Sequence, residues 1–405
     1  MPDPTETTQR RLRLAVITEC ELSRRHGTGA QILRTLSGMP VDYFHFYFAC
    51  WHGTISEITQ SKKLASYDLP IPKVRRLWQE VRNNTVGPWY RGTEINSPRM
   101  RGWLERKQLQ FDVAYVVVAC EEGAAKAASL LAVLGCPYVL HVVDLFHAQG
   151  VDPAGMPGFH ELLAGASSVL ALTPAIQYEL ERFEACKVEQ IFEAQSITPH
   201  TASAPAEAQP LRIIMGGRPY AGGCNFLAAA LRQTATTGRQ IEIVNVGPYF
   251  NDLPESLRPF VTNAGFIDND EEYRRTLAGA HLGFLSGPSQ MDHYGKYSFP
   301  SRCTEYMMAG LPVVGYVPQE SATALLLSPI TPQAFRRAAS IEYWTAAIQA
   351  FAGTQAAWNR ASAAARAFAI ERFSIDTKRA ILQRKFASAC LGASPAARQS
   401  TAASA

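Results

Sequence analysis

Short apolar runs alternate along this chain with segments of helical spacing. Leu14 to Thr18 is a continuous apolar run of the kind that packs on both faces, and it reads as the first strand. The loop His26-Gly27-Thr28-Gly29 carries it into an amphipathic helix through Ile32, Leu33 and Leu36. Val41 to Ala49 alternates as a second strand, Asp112 to Cys120 reads as a fully buried strand, Ala124 to Leu134 as a helix and Pro137 to Val143 as another strand. A strand over Ser167 to Leu172, a helix to Phe183 with Thr173 as cap and Pro174 in its first turn, and a strand over Val188 to Ala194 follow. This β-α-β succession predicts a parallel sheet with helices on its faces.

The segment Thr198 to Pro210, rich in Pro, Ala, Ser and Thr, has the composition of an interdomain linker, and the same alternation restarts beyond it. Strands are expected over Leu211 to Met215, Ile241 to Val246, Val261 to Ile267, Leu282 to Ser286 and Pro312 to Tyr316, with helices at Phe226 to Gln233 and Glu272 to Ala280. The fold class is therefore α/β: two tandem Rossmann-like domains with parallel sheets, over 1–200 and 210–370, a last helix over 371–391, and a frayed low-complexity tail over 392–405. Trp51 to Gln110 is the least regular stretch. Its Arg75, Arg76, Arg82, Arg91, Arg99 and Arg101, mixed with Trp78, Trp89, Tyr90 and Trp103, suit an acceptor site, a membrane surface or a plain solvated face.

Composition narrows the class further. With 405 residues, 47% hydrophobic and 18% charged, the chain reads as a soluble globular protein with room for two cores, and no apolar run reaches the roughly 18 to 20 residues that span a bilayer. The polar start, Met1 to Arg13, has no apolar segment of the secretory type, so a cytoplasmic location is expected. Eight cysteines without a Cys-x-x-Cys pair indicate neither a disulfide framework nor a zinc site. A formal charge of +4 is small for this length, which argues against nucleic acid as partner and fits anionic ligands held in a local basic site.

The candidate chemistry centres on Ser298 to Tyr316. Pro300 and Ser301 mark a helix start with Ser301 able to act as N-cap, and Gly310 with Pro312 stops the helix about two turns on. Arg302 and Glu305 then share one face near the end that favours anions, so they form either a phosphate and ribose clamp or an ordinary surface pair. Gly27 and Gly29 allow close approach of a ligand or only of the chain, and the missing third glycine speaks against a dinucleotide site. Asp144 and His147 fall just beyond a strand's carboxyl end, where open α/β sheets bind ligands; a turn or cap residue and a loop histidine are the plain alternatives. Asp268-Asn269-Asp270 imitates an Asp-x-Asp metal motif, but Glu271-Glu272 directly after it favours helix capping.

The succession Gly-Gly-Arg-Pro-Tyr after Met215, Asn-Ala-Gly-Phe-Ile-Asp-Asn-Asp-Glu-Glu-Tyr, and Pro-Ser-Arg-Cys-Thr-Glu-Tyr-Met-Met-Ala-Gly-Leu-Pro-Val-Val resembles the donor half of GT-B-fold glycosyltransferases of the retaining family-four type. Glu371-Arg372-Phe373-Ser374 and the helix after it are similar to that family's last helix, which crosses back to the first domain. The resemblance covers nearly the whole chain in layout, and its specific motifs lie in the second half. It implies sheets facing across a cleft that holds a nucleotide-diphosphate sugar and transfer to an acceptor hydroxyl. The Arg and Trp stretch from Arg75 to Trp103 suits a lipid-linked acceptor, with a glycan or a small molecule as the other candidates; no cofactor is expected, and no metal is needed because arginines and a helix N-terminus can neutralise the leaving group. The resemblance further implies that Glu305 holds the ribose, that Arg302 and Arg218 meet the diphosphate with Gly217 and Ser301 beside them, and that the backbone of Phe266 and Ile267 meets the base. Asp144, His147, Arg218 and Arg302 are the catalytic candidates; where many relatives carry His-Asp this chain has Val143-Asp144, with His141 as well as His147 nearby. Two positions depart from the pattern. Tyr297 stands where a sugar-holding glutamate is usual, and Ala221, Gly222 and Gly223 stand where a lysine is usual, a charge that Lys296 could replace. These departures motivate a rival expectation, a noncatalytic relative that binds nucleotide or glycan beside a partner subunit; an epimerase or phosphorylase is a third. Membrane association at the periphery is expected only through the Arg and Trp stretch.

Overall fold

In a computed structural model of the chain, the first apolar run forms strand β1 (Leu12–Thr18) and the following glycine segment is already inside helix α1 (Gly27–Leu36). The structure describes residues 10–20, 22, 27–47, 90, 91, 94, 95, 97–146, 159–183, 187–206, 209–217, 219–234, 240–287, 296–318, 320–328, 330, 344, 346, 348 and 353–392. Most of the Arg and Trp stretch, His147 and Arg218 lie outside them. The chain divides into two compact units, one of residues 1–172, 176–191 and 379–405, the other of residues 173–175 and 192–378.

In the first unit β1 is joined by β2 (Val41–Tyr47), β5 (Val113–Cys120), β6 (Tyr138–Phe146), β7 (Ser168–Ala171) and β8 (Val188–Gln190), in the order β2-β1-β5-β6-β7-β8 with every pair parallel. Two-residue strands β3 (Tyr90–Arg91) and β4 (Glu94–Ile95) pair separately. Helices α2 (Ser97–Arg106), α3 (Glu121–Leu134), α4 (Phe159–Gly165) and α5 (Pro174–Phe183) complete the alternation. Val113 to Val118 are all buried, as a central parallel strand covered on both faces requires.

Two strand ends differ from the periodicity. The apolar run stops at Val143, yet β6 continues to Phe146 because β5 keeps pairing beside it, Cys120 opposite Phe146 across an irregularity after Val118. Asp144 is therefore inside a strand and not in the loop beyond it. At the sheet edge, β8 stops at Gln190 because its neighbour β7 is only four residues long.

The second unit sets β9 (Leu211–Gly216), β10 (Ile241–Val246), β11 (Val261–Gly265), β12 (Leu282–Ser286) and β13 (Val313–Tyr316) in the parallel order β11-β10-β9-β12-β13. The chain runs outward from β9 to one side and returns to its other side with β12, so the switch point lies between β9 and β12. Helices α6 (Ala221–Thr234), α7 (Asp270–Ala278), α8 (Ser301–Met308), α9 (Ala322–Leu327) and α10 (Gln355–Phe373) pack around this sheet. A helix break at Ser374, whose extended backbone bridges Gln195, precedes α11 (Ile375–Gly392). No helix among the described residues is long and apolar enough to cross a membrane.

Candidate functional site

Three adjacent strands of the second sheet end on glycines of positive φ: Gly217 (81°) after β9, Gly247 (139°) after β10 and Gly265 (68°) in β11. The approach is close at Gly216, where a Cβ would stand 2.8 Å from the Val246 carbonyl oxygen and 3.5 Å from both Arg302 Nε and the Tyr306 hydroxyl. Gly247 N–H donates to Gly265 O at 2.8 Å, joining two of these ends. At β12, the Ser286 hydroxyl accepts from Tyr220 N–H and donates to Tyr220 O, both at 3.0 Å, which ties the loop after β9 to the next strand. The carboxyl edge at the switch point is thus a fixed cradle of backbone.

Helix α8 stands over that edge. Its N-cap is Pro300 in extended conformation without a side-chain cap bond, and Ser301 is the first helical residue, which corrects the expectation of a Ser301 cap. The stop is as expected: Gly310 at φ 77° donates to Met307 O and Leu311 N–H donates to Tyr306 O, each at 2.9 Å, the paired bonds of a left-handed helix end. Tyr306 fixes the helix against the sheet, since a Cβ on Gly283 of β12 would meet its ring at 2.5 Å.

Arg302 and Glu305 meet on one face, Nη1 donating to Oε2 at 2.8 Å, with side chains only 25% and 13% exposed. They are not a surface pair. The Tyr273 hydroxyl, from α7, donates to the same Oε2 at 2.6 Å and accepts from Arg302 Nη1, while the guanidinium lies 5.2 Å over the Tyr273 ring. Gln195 Nε2 reaches the other oxygen, Oε1, at 3.4 Å and Thr304 Oγ1 at 3.3 Å. The adjacent Glu305 carboxylate raises the Arg302 pKa further, and burial followed by the same carboxylate raises that of Tyr273 well above its ordinary value. Both side chains keep their protons across the physiological range. Arg302 Nε and Nη2 make no hydrogen bond among the described residues and remain donors beside Gly216.

The other expected residues fall in different settings. Tyr297 is buried, its carbonyl accepts from the Thr173 hydroxyl at 3.0 Å, and the exposed Lys296 places Nζ 4.7 Å over its ring. Phe266 is exposed just after β11, whereas Ile267 packs on the core. Gly27 and Gly29 lie in the first turn of α1 and not in a loop before it, Gly27 exposed and Gly29 buried. Asp144 is half-buried, its Oδ1 accepting from Leu145 N–H at 3.0 Å. His141 is buried with Nδ1 2.7 Å from the Tyr115 hydroxyl. In the imitation of a metal motif, Asn269 caps α7, its side chain accepting from Glu271 and Glu272 N–H at 2.9 and 3.0 Å. Among the described residues no group of three or more His, Cys, Asp or Glu is placed to hold a metal ion. A recess lined by Arg212, Glu242 and Arg275 lies at the opposite, amino end of the sheet and includes none of the expected residues.

Sequence reasoning missed Tyr273 and Gln195. The signal for Tyr273 was its place one turn into a capped helix, where it looks like any half-buried aromatic; Gln195 carried none.

The fold of the chain matches that of solved structures. HepE of Anabaena, crystallised in complex with UDP and glucose, superposes with a TM-score of 0.66 at 15% identity, covering 93% of this chain and 100% of that one. Sucrose-phosphate synthase of Thermosynechococcus elongatus gives 0.63 at 13% identity over 92% and 98%, and TarM 0.62 at 10% over 94% and 99%. The chain has the GT-B fold. No protein-family model matches the sequence, and no curated protein sequence matches it. In GT-B terms, the Arg302 cluster belongs to the second of the two Rossmann-like units, over the carboxyl edge of β9 and beside β12.

Proposed function

We propose that this protein is a glycosyltransferase that moves a sugar from a nucleoside-diphosphate sugar to an acceptor hydroxyl. The observation that carries the proposal is the buried Arg302–Glu305 pair beside the Gly216-Gly217 turn at a sheet switch point. A carboxylate there can accept from ribose hydroxyls, and the three unused N–H groups on Nε and Nη2 of Arg302, with backbone N–H groups of the turn, can hold a diphosphate. HepE, of the same fold, was crystallised with UDP-glucose, which supports a UDP-sugar or a related donor.

In the reaction the bond from the sugar C1 to the diphosphate oxygen breaks, a bond from C1 to the acceptor oxygen forms, and the acceptor proton leaves with the diphosphate. Arg302 would stabilise the charge that grows on the leaving group, aided by Arg218, so a hexosyl transfer without metal or cofactor is proposed. Retention of configuration, a role for Asp144 and His147 at the sugar, and base contact at Phe266 and Ile267 follow from the family-four resemblance; a cytoplasmic enzyme acting on a glycan, lipid-linked or small-molecule acceptor, at a membrane surface in the lipid-linked case, is proposed with them.

The test is a panel of UDP-, GDP- and ADP-sugars with release of nucleoside diphosphate as readout. Turnover is expected with one of them, and Glu305→Ala should weaken binding of that nucleotide roughly 10- to 100-fold, the loss expected for one or two hydrogen bonds to a charged group. Unchanged binding in Glu305→Ala, or no nucleotide bound at all, overturns the proposal. A second reading, a noncatalytic nucleotide or glycan binder, is favoured by one observation: Tyr297 is buried with Lys296 stacked on it where a sugar-holding carboxylate is usual. Binding of a nucleoside diphosphate without transfer to any acceptor in a cell lysate would select it.

A further inference from the structure

We propose that Tyr273 is a positioning residue that divides the labour of the Glu305 carboxylate, binding Oε2 so that Oε1 alone faces the ribose. The inference rests on the reading of Glu305 as the ribose-binding group. A carboxylate oxygen accepts about two hydrogen bonds. Oε2 already receives two short ones, from the Tyr273 hydroxyl at 2.6 Å and from Arg302 Nη1 at 2.8 Å. Among the described residues Oε1 receives only the long contact from Gln195 Nε2 at 3.4 Å, beyond the usual N–H···O range. The two oxygens are therefore inequivalent before any ligand arrives.

The phenol is suited to this task in a way that a second arginine would not be. Its single proton goes to Oε2, and its oxygen accepts from Arg302, so one hydroxyl orders both members of the pair. Its ring under the guanidinium holds the cation in place, leaving Nε beside Gly216. Burial and the carboxylate raise the phenol's pKa well above its ordinary value, so the donor persists across the physiological range. Tyr273 reaches Glu305 from α7, a different helix, so the bond also fixes α7 against α8 at this point. Without the hydroxyl, the carboxylate can rotate about its last bond, and both oxygens become partly engaged by Arg302 and partly open. The ribose hydroxyls would then meet an acceptor that must first be oriented.

The experiment compares UDP, GDP and ADP with their 2′,3′-dideoxy forms by calorimetry. For the nucleotide that binds, wild type should prefer the ribose form by at least tenfold. Tyr273→Phe keeps the ring and loses the hydroxyl; its affinity for the ribose form should fall about tenfold further than its affinity for the dideoxy form, which loses only what the loosened Arg302 contributes at the diphosphate. Tyr273→Leu, which fills the site without an aromatic ring or hydroxyl, should lose the same preference and serves if the first variant does not fold. Full ribose preference in either folded variant overturns the role of Tyr273 and leaves Glu305 as the ribose-binding group. A wild type that does not distinguish the two nucleotides overturns both. An equal loss of affinity for ribose and dideoxy forms marks Tyr273 as merely structural and overturns the proposal.

Discussion

At Glu305 one carboxylate oxygen is held by donors from two helices, and this separates the pair from the many exposed Arg/Glu couples at the same spacing that contribute a few tenths of a kcal/mol. Its charge is neutralised at short range by Arg302, which is what permits a carboxylate with only 13% of its side chain exposed. A second buried titratable group, His45 in the first unit, has the opposite character. Its Nε2 lies 2.8 Å from Thr18 Oγ1, whose own proton goes to Cys20 O, so the ring nitrogen donates. Burial pushes its pKa down from 6.5 to about 3. Between those values the unfolded chain binds a proton that the folded chain does not. Stability then falls as pH drops through the window, at up to about 1.4 kcal/mol per pH unit, and is fully present above it. His45→Gln removes this titration, so its melting temperature should change less steeply between about pH 6 and pH 4 than that of wild type; equal slopes would place the acid sensitivity elsewhere.

Helix α8 is too short to be stable alone, so each of its ends and faces must be held by the surrounding fold. Cys303, Tyr306, Met307 and Met308 are buried, and Arg366 of α10 donates to the Met308 carbonyl at the open end and to Thr198 O at 2.9 Å. The turn at Gly310 is the most exposed to a single change. An L side chain at φ 77° costs about 1–2 kcal/mol, and the added Cβ would stand 3.0 Å from Ser362 Oγ. Gly310→Ala is expected to lower the melting temperature by a few degrees, at about 2–4 °C per kcal/mol. A melt unchanged from wild type would show that the helix end adjusts freely. The same element explains the misplaced cap: a serine can cap only from the non-helical position, and Pro300, with its extended ψ of 122°, occupies that position, leaving Ser301 inside.

On the scale of the molecule, α11 begins in the second unit and from Arg379 onward belongs to the first. Arg379 donates to Thr35 O and Arg34 O at the end of α1, Lys385 pairs with Glu189 at 2.7 Å, and Leu382 and Phe386 enter the core beneath β1 and β5. Phe386, 1% exposed, stands edge-on to Tyr115 with ring centroids 5.6 Å apart. Phe386→Ala should destabilise the first unit by about 3–5 kcal/mol, read as a shifted denaturant midpoint; a shift under about 1 kcal/mol would mean that the last helix is not part of that core. The chain's last helical segment therefore completes its first sheet. Much of this was legible in the chain itself. Apolar runs such as Val113 to Val118 and Leu282 to Ser286 marked the strands, Gly310 marked the end of α8, and the spacing of Arg302 and Glu305 placed them on one face, because each signal depends on neighbours within about four residues. Strand ends were less so, since β6 runs past Val143 only because β5 continues beside it. The partners of Glu305 were not legible at all: Tyr273 lies 32 positions away and Gln195 lies 110 away, and each arrives there through the packing of its segment around the sheet. Periodicity states which face of an element is buried, and so it determined two parallel α/β units and an Arg/Glu face. What that face meets depends on strand order and helix packing, which no local pattern contains, and so only the tertiary structure turned the pair into an oriented carboxylate at the edge of β9.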